Sequence, residues 1–181
     1  MKVTKTELEG LLVIEPQVYG DERGFFLESY NEVRYREAGI DVRFVQDNHS
    51  RSVRGTLRGL HYQSSPGQAK LVRVTLGRVF DVAVDIRSGS PTLGRWKGVE
   101  LNSETHQQLF IPVGFAHGFC VLSEVAEVQY KVTSVYDPTT ECSIRFDDAE
   151  LGVRWPVAAP LLSARDEAAE SFDAYLRRVR S

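Results

Sequence analysis

The feature that most constrains this chain is a period of two. Along residues 79–86, Val79, Asp81, Ala83 and Asp85 fall on one face of an extended backbone; Phe80, Val82, Val84 and Ile86 fall on the other. A half-buried strand needs that alternation, whereas a helix repeats every 3.6 residues. Further short extended runs read at residues 11–15, 25–30, 56–63, 71–76, 97–101, 108–112, 115–122, 127–133 and 143–146. Turn residues punctuate them: Tyr19-Gly20-Asp21-Glu22-Arg23-Gly24, Ser88-Gly89-Ser90-Pro91, Pro112-Val113-Gly114 and Asp137-Pro138. Gly77-Arg78 separates two runs by two residues, which reads as a tight β-hairpin. With many short strands and no βαβ alternation, the pattern predicts an all-β fold: an antiparallel β-sandwich, jelly roll or barrel.

Helical spacing is confined to two places. Residues 32–38 read as a short helix with Asn31 as N-cap and Gly39 as its left-handed stop. From Asp166 to Arg180, Ala169, Phe172, Leu176 and Val179 recur at helical intervals, and Ser163 precedes Asp166 by three in a capping-box arrangement. A single domain over residues 1–181, β-rich with a helical tail, is expected. The composition agrees: 42% hydrophobic residues over 181 positions are too many for a disordered chain. A net charge of −3 argues against a non-specific grip on a nucleic acid polymer or a membrane surface. No apolar run approaches the ~18 residues of a membrane span. The first residues lack the apolar segment of a secretory signal. Cys120 and Cys142 have no paired spacing, and Cys120 lies in an apolar run as a small buried thiol would. A cytoplasmic location follows by elimination.

Chemistry must come from few groups, because the chain holds four His and two Cys. His61 lies in Leu57-Arg58-Gly59-Leu60-His61-Tyr62-Gln63, where strand geometry puts Leu57, Gly59, His61 and Gln63 on one face. Gly59 beside it would leave room for something to approach the imidazole, although a histidine with one ordinary hydrogen bond explains it as well. His117 sits between small and aromatic residues after a rigid turn, as a ring presented inside a barrel would. A metal site is disfavoured by counting, since Gln63 stands where a second ligand would be expected and no carboxylate completes a set. Tyr130 shares a face with Val128 and Val132, Lys70 opens a strand, Asp166 could cap a helix, and Arg51, Arg54 and Arg58 could belong to a solvated loop. Each signal alone is weak.

In order along the chain, however, stand Gly20-Asp21-Glu22-Arg23-Gly24-Phe25-Phe26, Phe44-Val45-Gln46-Asp47-Asn48-His49-Ser50, the His61 segment and Lys70-Leu71-Val72-Arg73. Then follow Val79-Phe80-Asp81-Val82-Ala83-Val84-Asp85, Ile111-Pro112-Val113-Gly114-Phe115-Ala116-His117-Gly118-Phe119 and Leu162-Ser163-Ala164-Arg165-Asp166. Together they resemble the dTDP-4-dehydrorhamnose 3,5-epimerase family of deoxysugar nucleotide enzymes. The resemblance implies a cupin-type jelly roll, a homodimer, a dTDP-sugar substrate, and action without metal or organic cofactor. The implied reaction inverts the two carbons flanking the 4-keto group of dTDP-4-dehydro-6-deoxy-D-glucose, in the route to dTDP-L-rhamnose.

That chemistry needs a base on one face of the sugar, an acid on the other, and a cation or donor at the enolate oxygen. By resemblance His61 is the base, Asp166 orients its ring, Tyr130 is the acid and Lys70 supplies the charge. His117 lines the sugar pocket. Arg23, Glu28, Gln46, Asn48, Arg58, Glu141 and Arg165 match substrate contacts, Tyr136 stacks on the thymine, and Phe25 helps to wall the base. Arg165 stands where the family commonly has Lys, which keeps the charge and changes its geometry. Four readings compete with a double epimerase: a mono-epimerase of another deoxysugar pathway, a sugar-nucleotide ketoisomerase, a non-catalytic cupin that binds nucleotide sugars, and a metal-dependent cupin oxygenase.

Overall fold

A computed structural model describes residues 1–180. Its elements, in chain order, are β1 (Lys2–Lys5), β2 (Leu12–Glu15), β3 (Val18–Asp21), β4 (Gly24–Leu27), α1 (Glu32–Glu37), β5 (Gln46–Val53), β6 (Leu57–Gln63) and β7 (Lys70–Leu76). They continue with β8 (Arg78–Asp85), β9 (Trp96–Asn102), β10 (Gln108–Ile111), β11 (Phe115–Val121), β12 (Val125–Val132), β13 (Glu141–Ser143), α2 (Ala164–Glu167) and α3 (Phe172–Arg180). The strands build a six-stranded sheet ordered β1-β2-β10-β7-β12-β5, a five-stranded sheet ordered β13-β6-β11-β8-β9, and a separate β3-β4 hairpin. All pairings between these strands are antiparallel. The two large sheets pack face to face as a sandwich of cupin jelly-roll type.

Alternation explains the layers. Val72, Val74, Leu109, Ile111, Ala126 and Val128 from one sheet meet Val79, Ala83, Leu101, Phe115, Phe119 and Val121 from the other in one buried cluster. Full burial of such side chains is worth about 1.5–3 kcal/mol each, so this end of the sandwich is a firm wall. The other face of β8 and β11 is buried as well, because Ile144, Leu151, Phe172 and Tyr175 pack on Leu60, Val82, Val84, Ile86 and Ala116. The strand read as half-buried is therefore covered on both sides, by the six-stranded sheet on one face and by the C-terminal segment on the other. On the six-stranded sheet, Tyr35 and Ile40 cover Leu12, Ile14, Leu71 and Phe110. The Asn31 side chain caps α1 by accepting from Arg34 N at 3.2 Å, and Gly39 at φ +93° ends it, both as expected.

Three readings need correction. The Gly77-Arg78 hairpin does not form, since β7 and β8 lie in opposite sheets. Gly77, at φ +75°, is instead a corner where the chain crosses the sandwich; a Cβ there would lie 2.1 Å from Val125 O. Ser123 fixes the corner by accepting from Arg78 N at 2.8 Å. Two-residue spacing fits a corner as well as a hairpin, and only the burial of the two flanking strands decides between them. Second, the C-terminal helix is two helices, α2 and α3. Glu170 interrupts them by bridging in parallel to Ile144, and Ser171 caps the second, its Oγ accepting from Ala174 N at 3.2 Å. Third, β5 is a full strand, pairing with β12 from Val125↔Val53 to Val132↔Gln46. Its polar sequence hides it, because its inward face carries Gln46, Asn48, Ser50 and Ser52 in place of apolar residues, with Gln46, Asn48 and Ser52 hydrogen-bonded there and the Ser50 hydroxyl buried without a partner.

A candidate active site between the two sheets

Between the two sheets, where Tyr130 borders the apolar cluster, lies a cleft of about 110 Å³, lined by Gln46, Asn48, His61, Gln63, Gln68, Lys70, Tyr130, Tyr136 and Glu141, with Tyr62 at its edge. Each sheet contributes. From the five-stranded sheet, β6 brings His61 and β13 brings Glu141; from the six-stranded sheet, β7 brings Lys70, β12 brings Tyr130 and β5 brings Gln46 and Asn48. His61 and Tyr130 therefore face the cleft from opposing sheets.

His61 Nε2 lies 2.5 Å from Asp166 Oδ1. Burial works to raise the Asp166 carboxyl, but the hydrogen bond and charge of His61, with Ser163 Oγ and the Gly59 amide, outweigh it and hold the carboxyl below its usual range. Directly across the strand pair from His61 is His117, whose Nε2 lies 2.9 and 3.0 Å from the two oxygens of Asp81. Burial pushes the His117 imidazole down, and Asp81 works against that shift. Lys70 is 7% exposed, and its ammonium donates to His61 O at 3.4 Å. Burial lowers Lys70 to about 8, with Asp81 and Glu141 opposing. Burial raises the Tyr130 phenol, helped by Glu141 and countered by Arg58, so it keeps its proton at neutral pH.

Around this centre, Gln46 Nε2 donates to Asn48 Oδ1 at 2.8 Å, while Gln46 Oε1 accepts from Tyr136 N at 2.9 Å and so anchors the Tyr136 loop. Glu141 pairs with Arg165 and is a hydrogen-bond partner of Tyr136. Burial works to raise Glu141, but Arg165 and Tyr136 bring it down overall. Arg58 Nε donates to Ser52 Oγ at 3.1 Å. That contact corrects the face reading of β6. Arg58 reaches across to the six-stranded sheet and belongs with His61 and Gln63, while Leu60 and Tyr62 face the C-terminal segment. The pleat slips because the pairing of β6 with β11 shifts register between His117 and Phe119. Gly59, at φ +130°, serves this slip and does not open the imidazole to a ligand: a Cβ there would lie 2.4 Å from Gly118 Cα.

Arg23, Phe25 and Glu28 are not brought to this cleft. Arg23 pairs with Asp21 on the exposed β3–β4 hairpin, Phe25 packs against His106 with ring centroids 4.4 Å apart and planes tilted by 41°, and Glu28 pairs with Arg34 at 3.1 Å. Sequence reading passed over Asp81, which is fully buried beside His117; a carboxylate on the face it shares with Val79 and Ala83 was the available signal. It also passed over Gln63 and Gln68, joined at 2.5 Å. A larger hollow of about 400 Å³ lies on the far side of β5 and β12, lined by residues such as Asp47, His49, Arg73, Gln129 and Lys131. There Lys131 pairs with Asp47 at 2.9 Å and Arg73 donates to Gln129 at 2.7 Å, so this is a paired, solvated surface. Among the described residues no three His, Cys, Asp or Glu side chains group as a metal site.

Comparison with known proteins agrees with this geometry. Residues 5–174 match the family model described as dTDP-4-dehydrorhamnose 3,5-epimerase. A protein of that name from Shigella flexneri is 55% identical over 174 residues, covering 95% of this chain and 96% of its own. A dTDP-6-deoxy-D-glucose-3,5-epimerase of Legionella pneumophila, solved in complex with dTDP-4-keto-L-rhamnose, superposes with a TM-score of 0.93 at 53% identity and covers 97% of this chain and 96% of its own. A dTDP-4-dehydrorhamnose 3-epimerase of Streptomyces niveus is 43% identical, covering 92% of this chain and 82% of its own. The chain belongs to the dTDP-4-dehydrorhamnose 3,5-epimerase family.

Proposed function

We propose that this protein is a dTDP-4-dehydro-6-deoxy-D-glucose 3,5-epimerase giving dTDP-4-dehydro-L-rhamnose. The observation that carries the reaction is the opposition of His61, backed by Asp166, and Tyr130 across one cleft between the two sheets. In this reading His61 removes the proton from a carbon next to the 4-keto group. The electrons move onto the keto oxygen, where Lys70 stabilises the enolate. Tyr130 then protonates the same carbon from the opposite face, which inverts it. Asp166 holds the His61 ring and stabilises the imidazolium, as a carboxylate does in hydrolytic triads.

A cleft of about 110 Å³ is smaller than the ~300–1,000 Å³ that encloses a drug-sized ligand, so only the sugar seats deeply. The nucleotide lies along the rim, with Tyr136 against the thymine and Arg58 and Arg165 toward the diphosphate; Gln46, Asn48, His117 and Glu141 complete the contacts. Arg23, Phe25 and Glu28 fit this plan if the enzyme is a homodimer whose β3–β4 hairpin reaches the neighbouring copy's cleft. The exposure of Tyr19, Phe25 and Phe26 (62%, 62% and 70%) on a two-stranded hairpin supports that arrangement. Free thiols at Cys120 and Cys142 fit a reducing compartment, and we place the enzyme in the cytoplasm.

The experiment is turnover of dTDP-4-dehydro-6-deoxyglucose in D₂O. Deuterium enters at both C3 and C5 under this reading, and His61→Ala lowers its incorporation by about 10²–10⁴-fold. Label at C3 alone identifies a 3-epimerase, the reading favoured by the Streptomyces niveus relative. Wild-type exchange in the His61→Ala variant would show that another group is the base.

A further inference from the structure

We propose that Ser163 is a positioning residue for this reaction, whose hydroxyl turns the Asp166 carboxylate so that it accepts Nε2–H of His61 and leaves Nδ1 as the basic nitrogen. This rests on the reading of His61 as the base. Ser163 Oγ donates to Asp166 Oδ2 at 2.8 Å and accepts from Asp166 N at 3.2 Å. A hydroxyl has one proton to give, and an ionised carboxylate only accepts, so the direction of the first bond is determined. With Oδ2 occupied, Oδ1 is the oxygen presented to His61 Nε2, at 2.5 Å.

The surrounding chain shows why such a hold is needed. Helix α2 has four residues, too few to keep its own shape, and tethers to the sheet keep it in place. Leu57 N donates to Leu161 O at 3.0 Å and Leu161 N to Gly55 O at 2.9 Å on one side; Arg145 N donates to Glu170 O at 2.9 Å on the other. These tethers fix the backbone of Asp166, and its carboxylate is oriented by the Gly59 amide together with the Ser163 hydroxyl. In an ordinary capping box the acid three residues on reaches back to the cap's own amide. Here the carboxylate faces His61, and the cap hydroxyl holds it there. The Ser163 bond also helps to keep Asp166 ionised.

The test compares Ser163→Ala, Ser163→Gly and Ser163→Thr with wild type, by kinetics and by two-bond ¹H–¹⁵N NMR of the His61 ring. Glycine is a tolerated N-cap, so the second variant keeps the fold where alanine weakens it. In wild type the neutral ring is expected as the Nε2–H tautomer. In the Ala and Gly variants the Nδ1–H form appears, and kcat falls by about ten- to a hundred-fold, the scale on which outer partners of an oriented histidine act. KM changes by less than about twofold, because the loss lies in the chemical step. Threonine restores tautomer and rate. An unchanged tautomer in the Ala and Gly variants, with or without a fall in kcat, makes Ser163 a cap only and overturns the proposal. The two readings fail separately: unchanged solvent exchange in His61→Ala removes the base assignment, whereas the NMR measurement judges the hold of Ser163 on the dyad without any turnover.

Discussion

At the scale of single residues, the site works against stability in one place. Lys70 is a buried cation whose pKa in the folded protein, about 8, lies below its ordinary 10.5. Between those values the unfolded chain binds more proton, so stability rises with pH across that window. At neutral pH the buried charge costs about 3 kcal/mol. Lys70→Met is therefore expected to raise the melting temperature while abolishing turnover, as thermal unfolding and the D₂O assay would register together. In the wild type, kcat/KM is expected to fall as pH rises through about 8, where Lys70 loses its proton. A rate that is flat from pH 7 to 10 would remove Lys70 from the enolate. The residues that converge on the cleft were nameable in the sequence because their motifs stand in order. The partners that tune them were less visible: Asp81 looks like one polar position in an alternating strand, and Ser163 like an ordinary cap.

Elements depend on a few anchored polar groups as much as on apolar faces. Asp85 ends β8 with no exposure. It accepts from Arg87 Nη2 at 2.7 Å and from the hydroxyls of Ser90 and Thr92 at 2.6 Å each, so it ties down the turn before β9. Burial alone would raise its carboxyl, but these donors win and bring it down to about 2 from 3.8. For a depressed carboxylate the contribution is full above the unfolded value and is lost as pH falls toward the folded one. Asp85 thus contributes about 2 kcal/mol above pH ~4 and little at pH ~2. Asp85→Asn should lower stability by about 2–4 kcal/mol in urea titrations, with kcat unchanged, because the turn does not line the cleft. The strands with apolar alternation were legible at this scale, unlike β1 and the polar β5, and so were the caps of α1 and α2, since alternation and capping are local. The break between α2 and α3 was not: Ala169, Phe172, Leu176 and Val179 keep helical spacing across it, and the bridge from Glu170 to Ile144 that causes it is tertiary.

For the whole molecule, the β3–β4 hairpin is the part least explained by one copy of the chain. Phe26→Ser is expected to shift sedimentation from twice the 20.4 kDa chain mass toward a single chain, with activity falling in parallel. A wild-type protein that sediments as one chain at full activity would end the dimer proposal. The sequence by itself determined where most of the chain extends, where it turns and which chemical groups it owns. Those choices rest on side-chain alternation and on the steric freedom of residues such as Gly39 and Gly77, which act over a few positions. Only the tertiary structure decided which sheet each strand joins, that β8 is covered on both faces, and that His61 meets an aspartate 105 positions away. Such pairings are settled by which faces can be buried together across the whole chain, and no local pattern records that.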